Sequence, residues 1–137
     1  MFKECAVKYY HQGYNCAESI IRAGNEYYDL GLHDKDMIMT AGFGGGLMIG
    51  DVCGALNGAI CVLSSKYVET KAHDCDFLRP LIQKMVIAFQ KKMGSRVCAK
   101  IKPVFHSPER KCENTVAAAA EVLEEVVMEW EKEKAAG

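Results

Sequence analysis

Gly42-Phe43-Gly44-Gly45-Gly46-Leu47-Met48-Ile49-Gly50-Asp51-Val52-Cys53-Gly54-Ala55-Leu56-Asn57-Gly58-Ala59-Ile60-Cys61-Val62-Leu63 holds seven of the chain's twelve glycines. Glycine permits sharp bends and close backbone approach, so this is where the chain turns and where another segment comes nearest. Gly42, Gly44, Gly45 and Gly46 read as a tight loop. Gly50, Gly54 and Gly58 recur every four residues, which predicts a helical ridge without side chains that lets a neighbouring helix pack at short range. Cys53, Asn57 and Cys61 fall on the adjacent ridge, so two thiols flank the close contact.

Helical periodicity extends outward from this stretch on both sides. Upstream, Phe2, Cys5, Ala6 and Tyr9 share one face of a short helix. Asn15 followed by Glu18 is a capping box that starts a second helix at Cys16, with the stripe Cys16, Ile20, Ala23 and Tyr27 and an end at Gly31. Asp34 or Asp36 caps a short helix leading into the glycine loop, and Asp51 is the expected N-cap of the glycine-ridged helix, which puts Cys53 in its first turn. Downstream, Leu78, Leu81, Ile82, Met85, Phe89 and Met93 form a core-facing stripe ended by Gly94. Ser95 caps a short turn containing Cys98, which Pro103 stops. Ser107 and Pro108 open a last helix whose inner face carries Cys112, Val116, Ala119, Ala120, Leu123, Val126, Val127 and Trp130. No segment alternates with a period of two. The expected class is all-α: one domain over residues 1–137, a helical bundle of about five to six helices with a glycine-rich loop before the central helix.

A formal net charge of −1 leaves no electrostatic footprint for nucleic acid or an anionic membrane, so neither is an expected partner. The first residues are charged where a signal peptide is apolar, and no apolar run approaches the ~18 residues of a spanning helix. The expected location is cytoplasmic. The glycine loop lacks both the Gly-x-x-x-x-Gly-Lys-Ser/Thr pattern and a Gly-x-Gly-x-x-Gly between strand and helix, so it reads as a turn and not a phosphate cradle.

Seven cysteines is a high and odd number, which argues against a fully paired secreted framework. Cys-x-x-Cys and Cys-x-x-Cys-His are absent, removing zinc ribbons, thioredoxin-like motifs and covalent haem. Any joint chemistry must come from cysteines that meet in space. Cys16, Cys53, Cys98 and Cys112 each lie near a predicted helix start, where the helix dipole favours thiolate. Cys53 is the expected attacking thiolate, with glycines beside it leaving room for a partner. Cys5 and Cys61 read as packing. Cys75 and His73, two apart in a polar loop, do not make a metal site on their own.

The pieces Gly-Tyr-Asn-Cys-Ala-Glu (13–18), Gly-Phe-Gly-Gly-Gly (42–46), Cys-Gly-Ala-Leu-Asn-Gly (53–58), Gly-Ser-Arg-Val-Cys (94–98) and the lone Cys112 together resemble the C_GCAxxG_C_C family of redox-active proteins, from Gly13 to Leu123. The resemblance implies a helical redox protein whose hallmark cysteines are Cys16, Cys53, Cys98 and Cys112. A more distant similarity to the amino-terminal part of split-Soret cytochromes c implies that such a set holds an iron–sulfur cluster, although no haem attachment motif is present. Three expectations follow. The first is thiol/disulfide or electron-transfer chemistry by the four cysteines with a redox partner of unknown identity. The second is an iron–sulfur cluster or a zinc ion held by the same four thiolates. The third is a helical interaction module with structural cysteines. Disulfide pairing and oligomeric state, a homo-oligomer included, stay open at this level.

Overall fold

The computed structural model describes residues 1–136. Seven α-helices carry the chain: α1 (Phe2–His11), α2 (Cys16–Tyr28), α3 (Asp34–Met37), α4 (Gly54–Tyr67), α5 (Leu78–Met93), α6 (Cys98–Phe105) and α7 (Glu113–Ala136). No β-strand occurs among the described residues, so the molecule is all-α. The count exceeds the expected five to six because both short segments, α3 and α6, close as helices.

The glycine ridge sets the central contact. A Cβ on Gly54 would lie 2.6 Å from Cys16 Sγ, one on Gly58 2.7 Å from the Ala17 carbonyl oxygen, and one on Gly24 2.5 Å from a Val62 methyl. These contacts climb α2 and α4 in the same sense, so the two helices run parallel at a separation only glycine allows. Gly50 does not belong to the ridge. It has φ +76° and lies before the helix, because the chain first makes a wide turn closed by the Asp51 N–H donating to the Gly46 carbonyl at 2.8 Å.

Other contacts order the remaining helices. Phe2 packs on Tyr27 and Tyr28 with ring centroids 5.5 Å apart, and Cys5 donates to Glu26 at 3.0 Å, so α1 runs antiparallel to α2. Tyr10 and His11, at the far end of α1, meet Cys112 and Glu113, while Lys3 meets Glu121. Helix α7 is therefore antiparallel to α1 and parallel to α2 and α4. Lys84 of α5 bridges Glu129 and Glu133 at 3.0 Å, pinning α5 to the distal half of α7. The interior is filled by Ile20, Leu56, Val62, Leu63, Leu81, Met85, Phe89, Val116 and Leu123, all buried. As a result the N-termini of α2, α4 and α7 lie at one end of the bundle. No described helix is long and apolar enough to cross a membrane.

Several boundaries differ from expectation. Helix α3 is capped through His33, whose N–H donates to Asp36 at 2.9 Å. Helix α6 continues past Pro103 to Phe105: the proline forfeits one helical hydrogen bond, and buried Ile101 anchors the turn before it. Ser107 does not start the last helix. Its backbone exchanges two hydrogen bonds with Lys111, at 3.1 and 2.6 Å, closing a turn that delays α7 to Glu113.

Candidate functional site

Each of the four cysteines is placed by the start of a helix. Cys16 is the first residue of α2, fixed by the capping box in which Asn15 accepts the Glu18 N–H at 3.0 Å and Glu18 accepts the Asn15 N–H at 3.1 Å. The Asn15 side chain also donates to the Ala41 carbonyl at 2.9 Å, tying this helix start to the glycine loop. Cys53 is the residue before α4: the helix begins at Gly54, so its N-cap is Cys53, two residues later than the expected Asp51. Cys98 opens α6, and Cys112 immediately precedes α7.

A short antiparallel bridge joins two of these positions. Val52 faces Val97, the Cys53 N–H donates to the Arg96 carbonyl at 2.8 Å, and the Cys98 N–H donates to the Asp51 carbonyl at 2.7 Å. Side chains one step either side of a facing pair share a face, so Cys53 and Cys98 project the same way as diagonal neighbours. Gly46 crosses over them: a Cβ there would lie 2.6 Å from Cys98 Cβ and 2.5 Å from the Asp51 carbonyl oxygen.

All four thiols line one cavity of about 540 Å³, together with Tyr10, Tyr14, Gly45, Ile101, Lys102 and Lys111 among others. Cys5, Cys61 and Cys75 lie outside it. All seven cysteines are free thiols. Cys16, Cys53 and Cys98 are 9%, 3% and 8% exposed, whereas Cys112 is half-buried at the rim.

Burial dominates the acidity of Cys16, Cys53 and Cys112. It pushes Cys53 up to about 12, helped by neighbouring Cys16, while the Ala55 and Leu56 N–H groups pull weakly the other way without forming a capping hydrogen bond. Cys53 is therefore an enclosed thiol whose burial opposes the thiolate expected of it. Cys16 is also raised by burial, against an opposing pull from the Gly45 N–H. Burial raises Cys112 as well, but the Lys102 ammonium and the Tyr10 hydroxyl act to lower it. Tyr10 in addition accepts the Cys112 N–H at 2.9 Å, so the phenol that holds this residue's backbone also acts on its thiol's acidity.

The other thiols have separate settings. Cys5 donates to Glu26, which also takes Lys8 and Tyr9, and the thiol is pushed up to about 11 by burial and by that carboxylate. Cys61 is partly buried beside Ile60, Phe43 and Met39. No group of three or more His, Cys, Asp or Glu side chains among the described residues is arranged to hold a metal ion. The four thiols share one cavity, and the His73–Cys75 pair gains no further donor.

Tyr10, Lys102 and Lys111 were not legible as site residues. Tyr10 and the two lysines belong to segments far apart in sequence, and only the antiparallel pairing of α1 with α7 and the Ser107–Lys111 turn bring them to the cavity.

Searches of curated proteins and of solved structures returned no match. A family model described as "Putative redox-active protein (C_GCAxxG_C_C)" matches residues 14–126, well over half the chain and inclusive of all four cavity cysteines. The chain belongs to the C_GCAxxG_C_C family.

Proposed function

We propose that the protein is a thiol redox protein in which Cys16, Cys53, Cys98 and Cys112 exchange between dithiol and disulfide forms. The observation that carries this reading is the shared cavity: four cysteines from four helix starts line it, and the three remaining cysteines do not. Cys112 is the outer thiol. It is the most accessible of the four, and although burial raises its pKa overall, a cation and a phenol act in the other direction. The thiolate attacks one sulfur of an external disulfide, a mixed disulfide forms at Cys112, and one substrate thiolate leaves. A second cavity thiol then loses its proton and attacks Cys112 Sγ, releasing the second substrate thiolate. Two protein thiols are oxidised, one disulfide is reduced to two thiols, and the two protons pass to the products. The reverse sequence oxidises an external dithiol.

The test is titration of the reduced protein with a disulfide of known potential, followed by peptide mapping. The expected result is one intramolecular disulfide containing Cys112, with Cys5, Cys61 and Cys75 still reduced. A Cys112→Ser variant is expected to form no disulfide at comparable rate. Oxidation confined to Cys5, Cys61 or Cys75, or an unchanged rate in Cys112→Ser, overturns the proposal.

A further inference from the structure

The geometry points to the substrate class of this cavity: a low-molecular-weight disulfide carrying carboxylate groups, recognised by Lys102 and Lys111 at the rim beside Cys112. This rests on the dithiol reading above. The first observation is charge without a partner. Every ion pair among the described residues that involves a lysine uses Lys3, Lys8, Lys71 or Lys84, whereas Lys102 and Lys111 line the cavity with no carboxylate within ion-pairing distance. The one carboxylate lining the cavity, Glu18, already accepts the Asn15 N–H. The second is backbone strain. Lys111 has φ +52°, a conformation that costs an L-residue about 1–2 kcal/mol and that glycine adopts freely, yet the position carries a long cationic side chain over the cavity. The third is topology, since the parallel α2, α4 and α7 bring three positive helix ends to the same place. The cavity volume, about 540 Å³, is within the range of small-molecule sites.

Two measurements test this. In the first, Cys112 is alkylated with iodoacetate and with iodoacetamide, which share a leaving group and differ in charge, and the rate ratio is compared with that of a cysteine in an unstructured peptide. The expected ratio at low salt is about tenfold above the peptide's, falling toward it as salt screens the lysines. Lys102→Gln and Lys111→Asn, the latter suited to a left-handed backbone, are each expected to remove about threefold of that preference, while exposed Lys100→Gln leaves it intact. A ratio equal to the peptide's, or one indifferent to salt and to both variants, overturns the inference. In the second, the reduced protein reacts with 3,3′-dithiodipropionate, bis(2-hydroxyethyl) disulfide and cystamine. Preference for the anionic disulfide supports the proposal. Equal rates with all three, relative to the peptide, overturn it and leave the dithiol reading standing. Reaction with none, alongside a preserved iodoacetate preference, overturns the dithiol reading and leaves an anion site.

Discussion

Gly54→Ala tests whether the absence of one methyl group positions the thiols. A Cβ at this position would lie 2.6 Å from Cys16 Sγ and 2.7 Å from the Phe43 carbonyl oxygen. The sulfur can swing away, but the carbonyl belongs to the loop backbone and cannot move alone. Overpacking of this kind costs about 1–3 kcal/mol. Replacing glycine in a helix returns at most about 1 kcal/mol, and less at a first helical position where fewer bonds are fixed. The net expectation is a loss of about 1–2 kcal/mol, which at a urea slope of about 1–3 kcal/mol/M lowers the unfolding midpoint by about 1 M. Cys16, displaced toward the cavity, should also alkylate faster than in the parent protein, where it is 9% exposed. Gly42→Ala is the control: nothing lies within 4 Å of its added Cβ and its φ is not in the left-handed range, so its midpoint should match or slightly exceed the parent's. If Gly54→Ala unfolds at the same urea concentration as Gly42→Ala, with Cys16 alkylation unchanged, the close approach of α2 and α4 does not position that thiol.

Three further outcomes follow from the same geometry. Tyr10→Phe leaves the Cys112 N–H without its acceptor and removes the hydroxyl that favours the thiolate, so it should cost about 1–2 kcal/mol in urea unfolding and slow Cys112 alkylation near neutral pH. Raising pH should destabilise the protein through Cys53. Below about 9 its thiol is protonated folded and unfolded alike, whereas between 9.0 and about 12 only the unfolded chain releases the proton. Stability should therefore fall by about 1.4 kcal/mol per pH unit from this group alone. Urea midpoints of parent and Cys53→Ala should converge as pH rises through that window, and parallel curves would count against enclosure of this thiol. Met48→Gly should raise the melting temperature slightly, because Met48 holds φ +63° while 66% exposed, and glycine removes a strain of about 1–2 kcal/mol less its own greater unfolded-state freedom.

Much of this arrangement is local and therefore readable from sequence. The Asn15/Glu18 box sets the start of α2 to the residue, and Gly94 ends α5 in a left-handed cap with φ +82°, since both signals act within one turn of the chain. The close contacts of Gly54 and Gly58 follow from their spacing on one helix face. Gly50 fits the same spacing but is recruited by the wide turn at Gly46–Asp51, where Leu47 and Met48 adopt left-handed φ against their own preference. Likewise, Ser107-Pro108 is a fair helix opening taken instead by a turn with Lys111. In both cases two local signals compete, and tertiary packing against α6 or α1 chooses between them.

The acidity of Cys53 shows why a helix start alone does not make a thiolate. A helix dipole contributes about 0.3–1 kcal/mol at an exposed end and up to ~2 kcal/mol when partly buried. Enclosure moves Cys53 from 9.0 to about 12, which corresponds to roughly 4 kcal/mol in the opposite direction. Burial wins, and the same parallel packing that gathers the helix starts also seals three of the thiols. The reduced cavity thus holds Cys16 and Cys53 as protonated thiols, poor nucleophiles until a disulfide forms beside them, while Cys112 alone combines access with a cation and a phenol. In the dithiol exchange proposed above, this order of access makes Cys112 the first thiol to meet an external disulfide and leaves the enclosed thiols to resolve the mixed disulfide.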